Sequence, residues 1–232
     1  MSRKPRPIPS DYDFSPDRFR LARHVLRRYG CSPDDVHPQI ARRFEEEGLR
    51  PVLDVGSGDG RLLRLLPRAD RVGLDPSRTM LAQAPEPVIC GDGSRLPFRE
   101  ETFGAVAALY VLDHLDDPSP AIAEAHRVLR TGGLLATAAP SRFDSPEFED
   151  LLPPEPPLTF DAESAPGLLK GYFDVLEVIT WDEPLIHLPD RDAVRDYLIG
   201  RQVPAEIASD VARHANVPIR VTKRGAICFA RK

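Results

Sequence analysis

The chain has 232 residues, which suits one α/β domain, or one with a modest insertion, and leaves little room for two full domains. Its 41% hydrophobic content is ordinary for a globular protein. Its formal net charge of −5 argues against nucleic acid or an anionic membrane as the main partner, since both reward a basic face. No apolar run approaches the ~20 residues that span a bilayer. Met1 to Ser10 is polar and proline-punctuated, without the apolar centre of a secretory signal. Cys31, Cys90 and Cys228 are odd in number and far apart, so they predict neither a disulfide framework nor a metal site. The expectation is a cytoplasmic protein with no metal. The first thirty residues lean basic, through Arg3, Lys4, Arg6, Arg18, Arg20, Arg23, Arg27 and Arg28. They read as a solvated tail followed by a solvated helix face.

Ser15-Pro16-Asp17 predicts a helix start and Gly30 its stop, after Tyr29. Ser32-Pro33-Asp34-Asp35 opens a second helical segment that ends near Gly48. The short apolar run Pro51 to Val55 reads as a strand buried on both faces. Helix is expected over Arg61 to Leu66, strand over Arg71 to Leu74, helix over Ser77 to Ala84, and strand over Val88 to Cys90. Strand follows over Ala105 to Val111, helix over Pro120 to Leu129, and strand over Leu134 to Ala138. This alternation predicts a parallel sheet wrapped by helices. Prolines crowd the stretch from Pro146 to Pro157 and exclude a central strand or helix interior there. Beyond it come a helix near Glu163 to Lys170, a strand over Phe173 to Trp181, helices over Arg191 to Ile199 and Ala205 to Ala215, and a last strand over Arg220 to Ala230. Late strands suggest that the sheet finishes antiparallel.

The central signal is Val52-Leu53-Asp54-Val55-Gly56-Ser57-Gly58-Asp59-Gly60-Arg61. A buried strand runs into a turn with glycine at every second position. Glycine permits positive φ and close approach of the backbone to a ligand, so this is a ligand-binding turn. A dinucleotide fingerprint needs G-x-G-x-x-G, and here the third glycine, Gly60, comes one position early. The Gly-Lys-Ser/Thr of a phosphate-binding P-loop is absent. Asp75 ends the second strand, where a carboxylate can accept from both hydroxyls of a ribose or serve as a helix cap beside Ser77. Asp92 follows the third strand, where it can accept from an exocyclic amine or form an Asx turn. All three positions lie at C-terminal ends of consecutive strands, where open α/β sheets bind ligands.

At these residues the sequence resembles the class I S-adenosylmethionine-dependent methyltransferases, in the branch that includes ubiquinone, menaquinone and small-molecule enzymes. The motifs that carry the likeness are Asp54 to Gly60, Gly73-Leu74-Asp75-Pro76-Ser77 with Met80-Leu81, and Gly91-Asp92-Gly93-Ser94-Arg95-Leu96-Pro97-Phe98. Val111 to Leu115 and Glu124 to Gly133 add to it, with Thr131 where the family usually has proline. The resemblance implies a Rossmann-like three-layer α/β sandwich, with a seven-stranded, mostly parallel sheet and an antiparallel last strand. It implies S-adenosyl-L-methionine as cofactor. Asp54 and Gly56 would line the methionine end, Asp75 the ribose, and Asp92 with Gly93 the adenine, with Gly58, Gly60 and Pro76 also binding the cofactor.

The chain then divides into an N-terminal helical cap (1–50), a cofactor-binding core (51–140), a proline-rich lid (141–172), and a completion of the sheet with acceptor-side helices (173–232). Within the lid, Asp144 to Lys170 is expected to cover the acceptor, with Phe143, Phe148, Leu151, Leu152, Leu158 and Phe160 as its apolar contacts. Methyl transfer mainly needs alignment of the acceptor and exclusion of water. A general base helps when the nucleophile carries a proton. His114, just past the fourth strand, is the candidate base, and the competing reading is a structural histidine in its turn. Tyr110 would face the same space and contact the cofactor, with packing as its alternative, and Tyr12 is a candidate lid residue that binds the cofactor. His126 is expected on an outer helix face. The expected function is methyl transfer to a small-molecule acceptor. Alternatives are non-methylating chemistry on the same cofactor, a non-catalytic cofactor-binding subunit, and an NAD-dependent oxidoreductase, against which the glycine spacing speaks. The acceptor, the methylated atom and the oligomeric state are not legible.

Overall fold

The computed structural model describes residues 16–30, 36–154 and 156–232. Helices α1 (Pro16–Tyr29) and α2 (Val36–Glu46) lead into β1 (Val52–Val55), β2 (Arg71–Asp75), α3 (Arg78–Leu81) and β3 (Val88–Cys90). Then come β4 (Phe103–Leu109), α4 (Ser119–Val128), β5 (Leu129–Pro140), α5 (Ala165–Leu169), β6 (Asp174–Leu188), α6 (Arg191–Gly200), α7 (Ala205–His214) and β7 (Ile219–Arg231). The seven strands form one sheet in the order β3-β2-β1-β4-β5-β7-β6. β1 to β5 pair in parallel, and β7 runs antiparallel to both β5 and β6. The expected Rossmann-like sheet with an antiparallel last strand is therefore found. No helix among the described residues is long and apolar enough to cross a membrane.

The pleat sends alternate side chains to opposite faces. In β4, Val106 and Ala108 join a core layer with Ile122, Ala125 and Val128 of α4, while Ala105, Ala107 and Leu109 join one with Ile40 and Phe44 of α2. Every residue of β1 and β4 is buried, as expected for strands covered on both faces. A third cluster lies off the sheet's edge, where Val25 of α1 meets Val194, Tyr197 and Leu198 of α6, Val211 of α7 and the far ends of β6 and β7.

Several elements differ from their predicted limits, for local reasons. Arg61 to Leu66 is a series of turns with a 3₁₀ turn at Leu63–Leu65 in place of an α-helix. Pro67 disfavours helical geometry at Leu66, which is extended at φ −108°, ψ 146°. β4 ends at Leu109, two residues early, because Tyr110 turns into the left-handed region at φ 55°. β6 runs seven residues past Trp181, through a register shift between Pro184 and Ile186. It is an edge strand, where proline is tolerated.

The proline-rich stretch is anchored. Asp144 is 5% exposed and accepts from Arg201 (2.7 Å), from Lys223 and from the Arg224 amide (2.8 Å). Ser145 bonds Tyr197 Oη at 3.1 Å, and Glu147 accepts from the Thr222 amide at 3.0 Å. Phe148 stacks on Tyr197 with ring centroids 5.8 Å apart, and Phe160 lies in the main core. Both were expected to face an acceptor; their apolar surface goes instead to the fold, and Phe143, 60% exposed, and Leu151 are the residues left outside. Burial alone would raise the Asp144 carboxyl, but Lys223 and Arg201 outweigh it and hold the group below the usual range. A depressed carboxylate stabilises the fold above the unfolded value and loses that contribution as pH falls. Asp144→Asn should cost about 2 kcal/mol, less than a fully buried pair because both cations are partly solvated. Calorimetry from neutral to acid pH should show the gap to wild type closing toward low pH.

Candidate cofactor site

The glycine turn begins where β1 leaves the sheet. The Gly56 and Ser57 amides donate to Leu74 O at 2.7 and 3.1 Å, which folds the turn over the end of β2. Gly56, Gly58 and Gly60 have φ of +70°, +54° and +80°. A Cβ on Gly56 would lie 2.5 Å from Val111 Cγ2, so both its backbone angle and its neighbour demand glycine.

Asp75 is 8% exposed, more enclosed than a residue at the sheet's rim. Its Oδ2 accepts from the Gly58 amide at 2.9 Å and its Oδ1 from the Ser77 amide at 2.8 Å. The residue thus braces the glycine turn and the entry to α3, whose N-cap Ser77 accepts from the Met80 amide. Each carboxylate oxygen can accept more than one bond, so these contacts leave acceptor capacity. Pro76, between the two, is exposed.

Asp92 is exposed and forms the Asx turn foreseen as its alternative role, accepting from the Ser94 amide at 2.8 Å. A Cβ on Gly93 would stand 2.9 Å from Val55 Cγ1, which brings this loop against the end of β1. The loop is held from behind. Glu124 accepts from the Leu96 amide at 2.8 Å, and Arg127, paired with Glu124 at 2.6 Å, donates to Phe98 O and Leu96 O. The sequence placed Glu124 and Arg127 in a motif, but their reach back to Leu96 and Phe98, 28 to 31 residues away, was not legible.

Tyr110 sits at the end of β4, 39% exposed, and its amide donates to Ala138 O at 2.8 Å. A non-glycine residue at positive φ is strained, and such strain gathers at functional sites. His114 closes a 3₁₀ turn at Leu112–His114 and is half-buried. His126 is not on a free outer face: it packs edge-on to Phe173 at 5.2 Å, and burial lowers its pKa, with Lys232 adding to the effect. Tyr12 lies outside the described residues. The sequence also gave no sign that Arg23 of α1 pairs with Asp59, which ties the N-terminal helix to the glycine turn.

Asp54 is the electrostatic centre. It is the third of the four residues of β1, 3% exposed, and among the described residues no donor reaches its carboxylate. Burial, with the neighbouring Asp75 adding to it, pushes its pKa up to about 8. A buried carboxylate needs a proton or a cation.

Residues 53–137 match the family described as a methyltransferase domain. This stretch, from β1 into β5, is similar to an S-adenosylmethionine-dependent methyltransferase domain. It is 37% identical over 106 residues to a ubiquinone/menaquinone biosynthesis C-methyltransferase (UbiE) of Desulfotalea psychrophila, a match over 40% of this chain and 43% of that protein. It is 26% identical to a demethylmenaquinone methyltransferase of Streptomyces avermitilis, over 57% of this chain and 60% of that one. The matches thus span about half the length of these relatives. The [4+2]-cyclase SpnF shares the fold with a TM-score of 0.67 at 19% identity, over 100% of this chain and 99% of its own.

The residues present fit the cofactor of this domain. Its methionine end carries positive charge, which is what the donor-free Asp54 carboxylate lacks. If Asp54 ionises to receive that charge, binding releases a proton. Affinity for S-adenosylhomocysteine should then rise by roughly tenfold between pH 6.5 and 7.5, since proton release is nearly complete below the pKa of about 8. The unliganded fold should move the other way. A raised carboxyl contributes stability below the unfolded value of ~3.9 and loses it as pH climbs toward 8. Titrations at several pH values in buffers of different ionisation enthalpy would count the proton directly.

Proposed function

We propose that this protein transfers the methyl group of S-adenosylmethionine in line to a small-molecule acceptor. The observation that carries the reading is the donor-free, buried Asp54 at the mouth of a turn whose three glycines all take positive φ. In this reading Asp54 and the turn hold the methionine end, Asp75 the ribose, and Asp92 with Gly93 the adenine. The cofactor, when bound, supplies an activated methyl group with its leaving group already attached. Tyr110 and His114, past the end of β4, border the space where the acceptor would meet it. Tyr110 shapes that space and His114 takes a proton from the acceptor. The N-terminal helices cap the site, and residues 141–172 with α6 and α7 wall the acceptor side. The wall's anchoring through Asp144 and Ser145 favours a preformed pocket over a swinging lid.

Quinol-type aromatics are the first acceptors to test, given the relatives' activities, followed by phenols and amines. The full chain should bind S-adenosylhomocysteine at micromolar concentrations, ~8 kcal/mol at 1 μM, and should pass labelled methyl to at least one acceptor class. Tight NAD binding without S-adenosylhomocysteine binding would overturn the reading.

A further inference from the structure

The arginines of α1 do not lie on a plain solvated face. Arg20, Arg23 and Arg27 form one wall of a cleft of about 730 Å³, and Arg61 and Arg64, just beyond the glycine turn, form the other. His24 and His37 also line it, and among the described residues Asp59 is the one acidic group in its lining. Asp59 is claimed by Arg23. Arg20 pairs at 2.7 Å with Asp17, which is 91% exposed and outside the lining. Arg64 spends its donors on two neutral carbonyls, Asp59 O at 2.6 Å and Gln83 O at 2.7 Å, which leave its charge uncompensated. Arg27 makes no ion pair among the described residues. Burial lowers the Arg23 pKa, and Arg27, Arg61 and Arg64 lower it further by repulsion, so the guanidinium groups of both walls are within electrostatic reach of one another.

We propose that this cleft is a binding site for a small phosphate-bearing anion. Three arguments favour that class. Guanidinium forks match phosphate oxygens in two-point hydrogen bonds, and five arginines here converge on one space. The volume is that of a small-molecule site, whereas a nucleic acid would need an extended basic track on a chain whose net charge is −5. An anion would also relieve the mutual repulsion that the cleft imposes on its own arginines. Asp54, Asp75, Asp92 and Tyr110 do not line the cleft, so it adjoins the cofactor site without being it. The inference does not depend on methyl transfer.

The test is calorimetric titration of the full chain with inorganic diphosphate and, separately, with adenosine diphosphate. Saturable 1:1 binding that weakens with added salt is expected, and at least about tenfold weaker binding in Arg20→Gln/Arg27→Gln. Both residues are exposed on α1, and Arg27→Glu alone is a second variant that should fold. Equal affinity for the two probes assigns the cleft to phosphate itself, and tighter binding of adenosine diphosphate assigns it to an organic phosphate. Absence of saturable binding at millimolar probe, or unchanged affinity in both variants, overturns the proposal. S-adenosylhomocysteine is titrated in parallel. Its binding without diphosphate binding defeats only the cleft, and the reverse defeats only the methyltransferase reading.

Discussion

Asp75→Asn should weaken S-adenosylhomocysteine binding by roughly 1.5–3 kcal/mol, or about ten- to 150-fold, and should also lower the melting temperature. The two effects share one cause. Asp75 accepts from the Gly58 amide with one oxygen and from the Ser77 amide with the other. Asparagine offers one oxygen and two N–H donors, so one of those amides would face a donor. The glycine turn then loses its brace while the site loses a charged acceptor for the ribose hydroxyls. Ser77→Ala separates the contributions. It removes the α3 cap, worth ~1 kcal/mol, and keeps the Ser77 amide that donates to Asp75, so stability should fall while affinity holds. If Asp75→Asn loses stability and keeps its dissociation constant, Asp75 is a brace and contributes nothing to the ribose.

The sequence made the sheet legible because its signals are local and repeated. Apolar runs such as Val52 to Val55 and Ala105 to Leu109 alternate with helix starts and turn residues, and parallel pairing follows from that alternation. The glycine turn and the acids Asp54, Asp75 and Asp92 were legible for the same reason, each lying at or near the C-terminal end of a strand. What escaped was long-range pairing. Arg23 with Asp59, Glu124 with the Leu96 amide, and Asp144 with Lys223 and Arg201 join residues 28 to 79 positions apart, and no periodicity encodes such a meeting. The apolar residues of the proline-rich stretch were misread in part for this reason. Phe148 and Phe160 carry the same composition whether they face a ligand or the core, and only the position of Tyr197 and α5 decides. The α1 arginines show the converse. A charged helix face reads as solvated until Arg61 and Arg64 are found opposite it.

On the proposed mechanism, His114→Ala should lower turnover by 10²–10⁴-fold, on the order of what a positioned general base contributes, and leave the dissociation constant of S-adenosylhomocysteine unchanged within about a factor of two. The separation follows from where the residue stands. His114 lies three residues beyond Val111, which packs on Gly56, and its 3₁₀ turn carries it past the end of β4. Its imidazole is half-buried, and none of the described hydrogen bonds engages its ring, which leaves both nitrogens for an acceptor. A histidine holding its own turn would instead be bonded to nearby backbone, and its loss would appear in the melting temperature. Alignment alone can account for much of a displacement reaction's rate, so the size of the drop discriminates between mechanisms. An acceptor whose attacking atom carries a proton needs the base, whereas one that attacks through a free lone pair does not. Partial recovery of His114→Ala turnover by added imidazole would identify the lost function as proton transfer. Turnover within about threefold of wild type, with no response to imidazole, would remove His114 from the chemistry and leave the site working by alignment alone.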